Sequence, residues 1–506
     1  MFKKLLSETV LYGTSTILAR LVNYLLVPLH TGAMPTESYG IVSEFYAMAA
    51  LLNVVYTYGM ETAFFRFSSK KENSIKEVYQ NTLNSLIISS FIFSSIFIIF
   101  SNPIASFLGY PESSSYVVWF AFLIAIDAIV SIPFAKLRQE HKAQKFVFLK
   151  LMNVFVNVGL NYFYFWFCPK FYHHPIFGSW FSMVYSPEIG LGYAFLSNLI
   201  ANALFIPLLW KEFAQWQPQI NWKLYKEMIL YAYPLLLGGI AYTINETMDR
   251  LLIKYWLPAK FYEGMNNLDA VGIYSGCYKL SIFISLAIQG YRYAAEPFFF
   301  NKVEDKNSPK IFALTTHYFI IVCCMMMLVV CANINWLSEI FLRNKAYKLG
   351  LTVVPFLLMA NIMLGIYFNL SVWYKTTDKT IYGAYISGIG ALITLILNYL
   401  LIPLLGYLGS AITTLACYSS MTTLCYILGQ KHQPIPYKTV TDLIYLFITM
   451  IVSWMYFYLN FDNQSVDFII KNMSILSLIL IIFFFEKNKF LKNKKHFIIQ
   501  IIKKNE

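Results

Sequence analysis

The chain has 506 residues, of which 58% are hydrophobic, 18% aromatic and only 13% charged. This charged share is about half that of a typical soluble domain, and a soluble fold of this composition would expose too much apolar surface. Composition therefore excludes soluble, disordered, fibrous and disulfide-stapled classes and leaves a polytopic membrane protein.

Apolar segments recur along the whole chain, and each is long enough for a membrane span, which needs about 20 apolar residues. The first follows Lys3 and Lys4, carries Arg20 and lacks a small-residue cleavage site, which favours an uncleaved span over a signal peptide. The connecting segments are too short for a separate soluble catalytic domain. We therefore predict an all-α fold of about fourteen spans, at 9–30, 39–61, 82–101, 115–133, 148–168, 189–210, 228–252, 271–291, 311–333, 351–374, 381–402, 409–429, 441–460 and 468–485.

The basic residues are distributed unevenly between the two sides of the membrane. An even number of spans places both termini on one side, where 29 of the 39 Lys and Arg residues lie, against seven on the other side. The positive-inside rule then predicts that both termini are cytoplasmic. Basic loops facing membrane lipid account for the net charge of +13 without nucleic acid as a partner.

Two blocks of sequence recur within the chain. YGIVSEFY at 39–46 and VGIYSGCY at 271–278 share Gly, Ile, Ser and Tyr at an offset of 232. The second block matches Asn161-Tyr162 to Asn398-Tyr399 at an offset of 237. Further along, Gly192 matches Gly409 at an offset of 217. The first copy therefore holds 20 extra residues, near FYHHPIFGSWFSMVYSPEIG. The repeat predicts two parallel six-helix lobes with a cleft between them, at 1–227 and 228–440, followed by two helices and a basic tail at 441–506.

Several ionisable residues fall within the predicted spans. Such a residue costs roughly 2.5–3.5 kcal/mol at the membrane centre, so it persists where it faces a wet cavity or a partner. Arg20 lies in the first span and Lys279 in the eighth. If both face the cleft, they form a cationic site that suits a phosphate or diphosphate. Further candidates for this site are Arg66 and Arg250. The alternative is that each cation pairs with a nearby carboxylate or reaches the membrane interface.

Span 7 carries a polar stripe. Tyr242, Asn245, Glu246 and Asp249 follow the spacing i, i+3, i+4, i+7 and therefore share one helix face. An acidic helix face of this kind is a candidate for coupling transport to Na⁺ or H⁺, whereas an i, i+4 pair of Glu246 with Arg250 and ordinary packing is the alternative. The ion-coupling candidates are Glu246, Asp249, Asn245 and, in span 4, Asp127.

Pro234, Gly238 and Gly239 precede this stripe within the same span. Proline removes a backbone hydrogen bond and glycine weakens a helix, so this segment is predicted to be a hinge. A bend at this position would move the polar stripe relative to the start of the span.

No pattern indicates catalysis or a metal site. His173-His174 has no Cys or acidic companion at ligand spacing, and the seven cysteines lie almost entirely in apolar runs. The sequence also has no Walker A motif and no Gly-x-Ser-x-Gly elbow. We therefore expect a protein that is not an enzyme and that holds no metal or other cofactor.

The segment from Leu11 to Phe67 resembles the start of bacterial polysaccharide-biosynthesis exporters, which are oligosaccharide flippases of the multidrug/oligosaccharidyl-lipid/polysaccharide (MOP) superfamily. The resemblance extends over MDRLLIKYWL, VGIYSGCYKL and LNYLLIPLLGYLGSAITTL. Within the first segment the residues that carry it are Arg20, Pro28, Thr31, Tyr39-Gly40, Gly59-Met60-Glu61 and Arg66.

The resemblance implies two six-helix lobes plus two helices that work by alternating access. It implies that the protein moves undecaprenyl-diphosphate-linked oligosaccharides to the periplasmic leaflet of the bacterial inner membrane, with polysaccharide assembly proteins as partners. Related lipid II flippases use cleft arginines on their first and eighth helices. Arg20 matches the first of these, whereas Lys279 places a lysine on the eighth helix.

Two other functions are compatible with parts of the sequence. A cation-coupled multidrug exporter would share the fold, but exporters of cations favour acidic clefts, and Arg20 with Lys279 favours an anion. A membrane glycosyltransferase or O-antigen polymerase would commonly need a long periplasmic loop with catalytic acids. The longest loops on the predicted periplasmic side, near 169–188 and 253–270, are short for that purpose.

Overall fold

A computed structural model describes residues 13, 16–70, 72–302, 308–377, 379–459 and 463–505, with backbone alone at 293–294, 296–298, 300–302 and 464 and beyond Lys487. Over these residues the chain is α-helical and contains no strand. A π-helical turn covers Phe163–Phe167, and 3₁₀ turns cover Pro187–Ile189 and Lys345–Val353. The α-helices are α1 (16–24), α2 (Leu26–Ala33), α3 (Thr36–Thr57), α4 (Met60–Ser68), α5 (Ile75–Ile99), α6 (Ser101–Phe107), α7 (Ser114–Gln139), α8 (Ala143–Tyr162), α9 (Cys168–Phe171), α10 (Gly178–Val184), α11 (Gly192–Ala203), α12 (Phe205–Leu208), α13 (Trp210–Phe213), α14 (Trp222–Trp256), α15 (Asn267–Leu280), α16 (Ile282–Lys302), α17 (Ser308–Ala332), α18 (Ile334–Phe341), α19 (Val354–Leu370), α20 (Val372–Thr376), α21 (Ile381–Leu405), α22 (Tyr407–His432), α23 (Thr439–Tyr458) and α24 (Gln464–Asn505).

The all-α, multi-pass membrane fold is confirmed. Within the described residues, 11 helical stretches are long and apolar enough to cross a membrane, and the pair α15–α16, bent by 47°, raises the number to 12. A shorter apolar helix over Gly192–Leu208 coincides with the predicted span 189–210, and the predicted span 9–30 begins outside the described residues. The helices run further than the predicted spans, because hydropathy detects only the part of a helix that lies in hydrocarbon.

The long helix α14 packs against both halves of the chain. Its first turns, with Leu224, Met228 and Ala232, join a hydrophobic cluster that includes Phe64 and Leu83 from the first half. Further along, Asn245 donates a hydrogen bond to the backbone oxygen of Ser387 in α21, at 3.1 Å. The boundary predicted at residues 227 and 228 therefore falls inside one continuous helix, and the division into two lobes stays a prediction.

The last two predicted spans are held to the rest of the protein by a buried polar cluster. The imidazole of His317 in α17 contacts the carboxylate of Asp442 in α23, and its other ring nitrogen lies 3.1 Å from Glu486 Oε2 in α24. Tyr445 donates a hydrogen bond to Glu486 Oε1 at 2.8 Å. A carboxylate without a partner is costly in a membrane interior, so His317 ties both appended helices to α17.

The two matching sequence blocks meet where α3 crosses α15. A β-carbon on Gly40 would lie 2.1 Å from the backbone oxygen of Leu268, and one on Gly272 would lie 1.9 Å from the backbone oxygen of Thr36. The two backbones are therefore in direct contact, which only glycine permits. Gly40 and Gly272 occupy equivalent positions of the repeat. A two-fold axis through the crossing would exchange these two glycines and would therefore produce this contact.

Replacing Gly40 by alanine is expected to force α3 away from α15. Overpacking of a tight contact typically costs about 1–3 kcal/mol, so we expect a lower thermal midpoint for the purified Gly40→Ala variant in detergent. Gly388→Ala is the matched control, because a β-carbon on Gly388 in α21 meets nothing within 4 Å. An equal midpoint for the two variants would contradict a backbone contact at this crossing.

Candidate functional site

A cavity of about 240 Å³ is lined by residues from six helices. Arg20 in α1 is its contribution from the first half of the chain, and α14, α15, α16, α19 and α22 supply the rest. The lining residues are Arg20, Tyr242, Glu246, Thr247, Arg250, Tyr278, Lys279, Ile282, Ser285, Ile288, Gln289, Arg292, Asn361, Leu364, Phe368 and Tyr418.

Positive charge dominates the cavity wall. Arg20, Arg250, Lys279 and Arg292 line it, and Glu246 is the acidic residue among the lining side chains. The charge of Arg250 acts on Lys279, so these two cations repel each other across the wall. A bound anion would relieve this repulsion, so the charges of the wall favour an anionic ligand over a cationic one.

Hydrogen bonds and ring contacts hold the cations in place. Arg250 donates to Asp249 Oδ1 at 2.9 Å, and its guanidinium lies over the ring of Tyr278, 4.5 Å from the centroid. Tyr24 donates to the backbone oxygen of Lys279 at 3.0 Å, which joins α1 to α15 beside the cavity. These contacts fix the guanidinium of Arg250 and the backbone that carries Lys279.

Glu246 lies among these cations. Arg250 and Arg20 are close enough for their charges to act on its carboxylate, to which the Tyr242 hydroxyl also donates a hydrogen bond. The carboxylate therefore belongs to the same electrostatic unit as the cations. Any change in its charge would alter how strongly the cavity holds an anion.

The polar stripe of span 7 divides between two environments. Tyr242 and Glu246 line the cavity, whereas Asn245 and Asp249 are each only 4% exposed and pack against other helices. Asn245 accepts a hydrogen bond from Thr394 at 3.2 Å, and Asp249 accepts one from Tyr274 at 2.5 Å. The stripe is about 100° wide, so one of its edges reaches the cavity while the other is covered by α15 and α21.

Arg292 is a cavity residue that the predicted spans missed. The eighth span was predicted to end at residue 291, which placed Arg292 in a loop, but α16 continues to Lys302. Its guanidinium lies 3.8 Å from the centroid of the Phe368 ring. The run of aromatic residues and alanines after Arg292 was the signal that the helix continues.

Two predicted site residues lie elsewhere. Arg66 is exposed at the end of α4, outside the set of cavity-lining residues. Asp127 in α7 accepts a hydrogen bond from Asn202 in α11 at 2.7 Å, and Asn202 in turn accepts one from Asn153 in α8 at 2.8 Å. Asp127 therefore belongs to a separate polar chain within the first half of the protein.

The predicted hinge residues lie where α14 passes between the two halves. α14 is continuous through Pro234. A β-carbon on Gly239 would lie 2.9 Å from Val54 of α3, and one on Gly238 would lie 3.7 Å from Ala384 of α21. A bend at this position stays a prediction.

Contacts join the two halves of the chain on the predicted periplasmic side, one helical turn of α14 beyond the cavity residue Arg250. The carboxylate of Glu44 in α3, which is fully buried, pairs with Lys254 in α14 at 2.8 Å and accepts a hydrogen bond from Tyr110 at 2.5 Å. Nearby, Thr36 donates to Asp269 Oδ1 at 2.5 Å. A path from the cavity to this side would have to break these contacts.

No group of three or more His, Cys, Asp and Glu side chains lies at metal-binding distance in the part of the chain that the structure describes. All seven cysteines are buried and unpaired as thiols. The candidate site is therefore defined by its charges and hydrogen-bonding groups.

Removing Lys254 is expected to destabilise the contact between the two halves on the predicted periplasmic side, because it leaves the buried charge of Glu44 without a cationic partner. Breaking a buried ion pair in this way typically costs about 3–5 kcal/mol, so we expect the thermal midpoint of Lys254→Met to fall. The double variant Glu44→Gln/Lys254→Met removes both charges and should recover much of the loss. If the double variant is no more stable than the single one, the buried charge of Glu44 is not the cause.

The sequence and the fold were compared with known proteins. A family model described as "Polysaccharide biosynthesis protein" matches residues 5–301, and one described as "MatE" matches residues 261–400. No curated protein matches the sequence.

Several solved structures share the fold. A structure of the lipid II flippase MurJ in an inward closed conformation has a TM-score of 0.72 at 12% identity, over 93% of this chain and 97% of that one. An inward-facing multidrug resistance MATE family transporter of the MOP superfamily has a TM-score of 0.61 at 13% identity, over 82% and 94%. A MOP superfamily transporter from Pyrococcus furiosus has a TM-score of 0.54 at 14% identity, over 85% and 94%. At such identities, the similarity is one of fold.

Proposed function

Because the chain belongs to the polysaccharide biosynthesis protein family and has a MOP-superfamily transporter fold, we propose that it is a flippase. Its cargo in this proposal is an undecaprenyl-diphosphate-linked oligosaccharide, which it moves from the cytoplasmic to the periplasmic leaflet of the bacterial inner membrane by alternating access. Both termini are then cytoplasmic, and polysaccharide assembly proteins are its partners.

The cationic cavity is the observation that carries this proposal. Arg20 and Arg292 offer planar, forked donors that match phosphate oxygens, and Lys279 adds a point charge. The cationic side chains on the wall outnumber the lining carboxylate of Glu246. The resulting net positive charge suits a ligand that carries more than one negative charge. A diphosphate has this charge and these acceptors.

The flippase role also fits the chemistry of the cargo. Sugar hydroxyls cannot cross hydrocarbon unaided, because their hydrogen bonds would be left unsatisfied. Polar cavity groups such as Gln289 and Ser285 can replace water for the headgroup, while the polyprenyl chain stays in lipid. At about 240 Å³ the cavity is smaller than the roughly 300–1,000 Å³ of pockets for drug-sized ligands, so an oligosaccharide requires a wider state of the cavity.

In the proposed cycle, widening involves a movement of the two lobes about α14. Pro234, Gly238 and Gly239 provide the bend, and the pair of Glu44 and Lys254 opens on the periplasmic side. Glu246 couples the cycle to Na⁺ or H⁺, because neutralising its carboxylate leaves Arg20 and Arg250 with more uncompensated charge for the headgroup. Asp249, Asn245 and Asp127 are further candidates for ion coupling.

A cation-coupled multidrug exporter is the second candidate function. The match of residues 261–400 to the MatE family model favours it. The positive cavity wall opposes it, because a cationic drug would be repelled by Arg20, Lys279 and Arg292. None of the similar proteins described above is named as a membrane glycosyltransferase or polymerase, which is the third possibility.

The Arg20→Ala variant is expected to abolish polysaccharide export while the protein still inserts into the membrane, because the first half of the chain then offers no cation to the diphosphate. Arg20→Lys keeps the charge without the forked donors and should export at an intermediate level. Export is measured as surface polysaccharide in a deletion strain that carries each variant, with membrane levels checked by immunoblot. Normal export by Arg20→Ala would remove the role assigned to this residue.

The Glu246→Gln variant is expected to weaken transport without weakening headgroup binding, since it removes a negative charge from an anion site. The measurement is flux of a lipid-linked oligosaccharide in vesicles with and without a Na⁺ or pH gradient. Glu188→Gln, in an exposed turn, is the control. An ion dependence of Glu246→Gln equal to that of the unmodified protein would count against coupling at this carboxylate.

A further inference from the structure

The 20 extra residues of the first repeat form an aromatic insert between α9 and α11. Its helix α10 covers Gly178–Val184, and Phe181 of this helix packs against the end of the preceding span. The ring of Phe181 lies 5.6 Å from that of Phe167 and 5.9 Å from that of Phe171. The insert is therefore folded back onto the span that precedes it.

The other apolar side chains of this helix face outward. Trp180 is 75% exposed, Met183 is 81% exposed and Ile176, just before the helix, is 72% exposed. We refer to these three residues as the insert patch. Exposed large apolar side chains clustered in one short segment indicate a surface that is covered in the functional protein.

The insert patch continues a surface that already faces lipid. Phe148, Phe155 and Trp166 are exposed along the span Ala143–Phe171. The spacing of seven residues places Phe148 and Phe155 on one helix face, and Trp166 follows in the π-helical turn over Phe163–Phe167. Trp166 at the end of this stripe is next to Phe167, on which Phe181 of the insert packs.

The depth of the insert follows from the length of this span. Lys145, in the first turn, pairs with Glu212 at 2.7 Å, and because charges are costly in hydrocarbon we place the predicted cytoplasmic edge of the hydrocarbon at this pair. Trp166 lies 21 residues further on, which is about 32 Å at a rise of 1.5 Å per residue. A hydrocarbon core is about 30 Å thick, so Trp166 and the insert lie at the opposite membrane interface.

The charges around the patch fit a lipid headgroup layer. Lys170 has its Nζ 5.5 Å from the centroid of the Trp166 ring, where it can meet lipid phosphates. The insert at 171–190 has one acidic residue, Glu188, which follows α10 and lies outside the insert patch. Trp side chains also favour this layer, because one end of the ring is apolar and the other can donate a hydrogen bond.

We propose that α10 is an interfacial anchor that lies in the outer leaflet of the membrane, with Ile176, Trp180 and Met183 inserted at the boundary between headgroups and acyl chains. The anchor fixes the depth of the first half of the protein on the periplasmic side. The second half has no counterpart of this insert in its sequence, so the two halves differ in how firmly they are held in the bilayer.

The test uses Met183→Cys and Ile176→Cys, each labelled with the environment-sensitive fluorophore NBD. The seven native cysteines are buried, so the introduced thiol is the one that reacts. The labelled protein is reconstituted in phosphatidylcholine and phosphatidylglycerol vesicles. Emission is then quenched either by lipid with a doxyl group near the headgroup or by aqueous iodide. Glu263→Cys, in an exposed loop on the same predicted side, is the matched control.

Blue-shifted emission and strong quenching by the doxyl lipid are expected at both insert positions, with weak quenching by iodide. The control should show the reverse pattern. Strong iodide quenching at Met183 and Ile176 would overturn the proposal, because the patch would then face water. Protection from both quenchers would overturn it as well, because it would mean that protein covers the patch. Neither outcome bears on the cationic cavity, so the anchor and the flippase function are tested separately.

Discussion

Hydrocarbon solvates neither backbone amides nor charges, and this constraint underlies every main feature of the protein. Helices satisfy the backbone within each span. Charged groups persist where they find a partner or a polar cavity, as the carboxylates of Asp442 and Glu486 do at His317 and as Arg20 does at the cavity between the helices. The same constraint makes the cavity functional, because charges assembled away from bulk water act strongly on a ligand.

The helix α14 links three parts of the molecule that a transport cycle would use. Its first turns belong to a hydrophobic cluster of the first half, its middle presents Glu246 and Arg250 to the cavity, and its end brings Lys254 to Glu44. A displacement of this helix would therefore move cavity residues and the ion pair of Lys254 with Glu44 together. The predicted hinge at Pro234 precedes the cavity residues and Lys254 in α14. A bend at Pro234 would therefore move the cavity residues and Lys254 as one unit.

The crossing of α3 and α15 explains why the repeat matters physically. The contact between Gly40 and Gly272 brings the two halves together at equivalent positions and leaves no space for a side chain. Adjacent hydrogen bonds, such as that from Thr36 to Asp269, fix the orientation of the two helices at this contact. Small residues allow this close approach in a membrane, where no hydrophobic effect drives helices together.

The all-α, multi-pass character of the chain could be predicted from the sequence, because burial in lipid demands long apolar runs that a hydropathy window detects. The candidate cations Arg20, Lys279 and Arg250 could also be named, since a charge inside such a run is conspicuous. Their placement on one cavity wall was not predictable, because it depends on the rotation of each helix against its neighbours.

The sequence by itself determined that this is an all-α, multi-pass membrane protein with cations at membrane depth. The tertiary structure decided which polar residues share a wall. It separated Glu246 from Asn245 one residue away, added Arg292 through the continuation of α16, and placed Arg66 and Asp127 elsewhere. Hydropathy is a local property of the chain, whereas the environment of a side chain is set by helices distant in sequence.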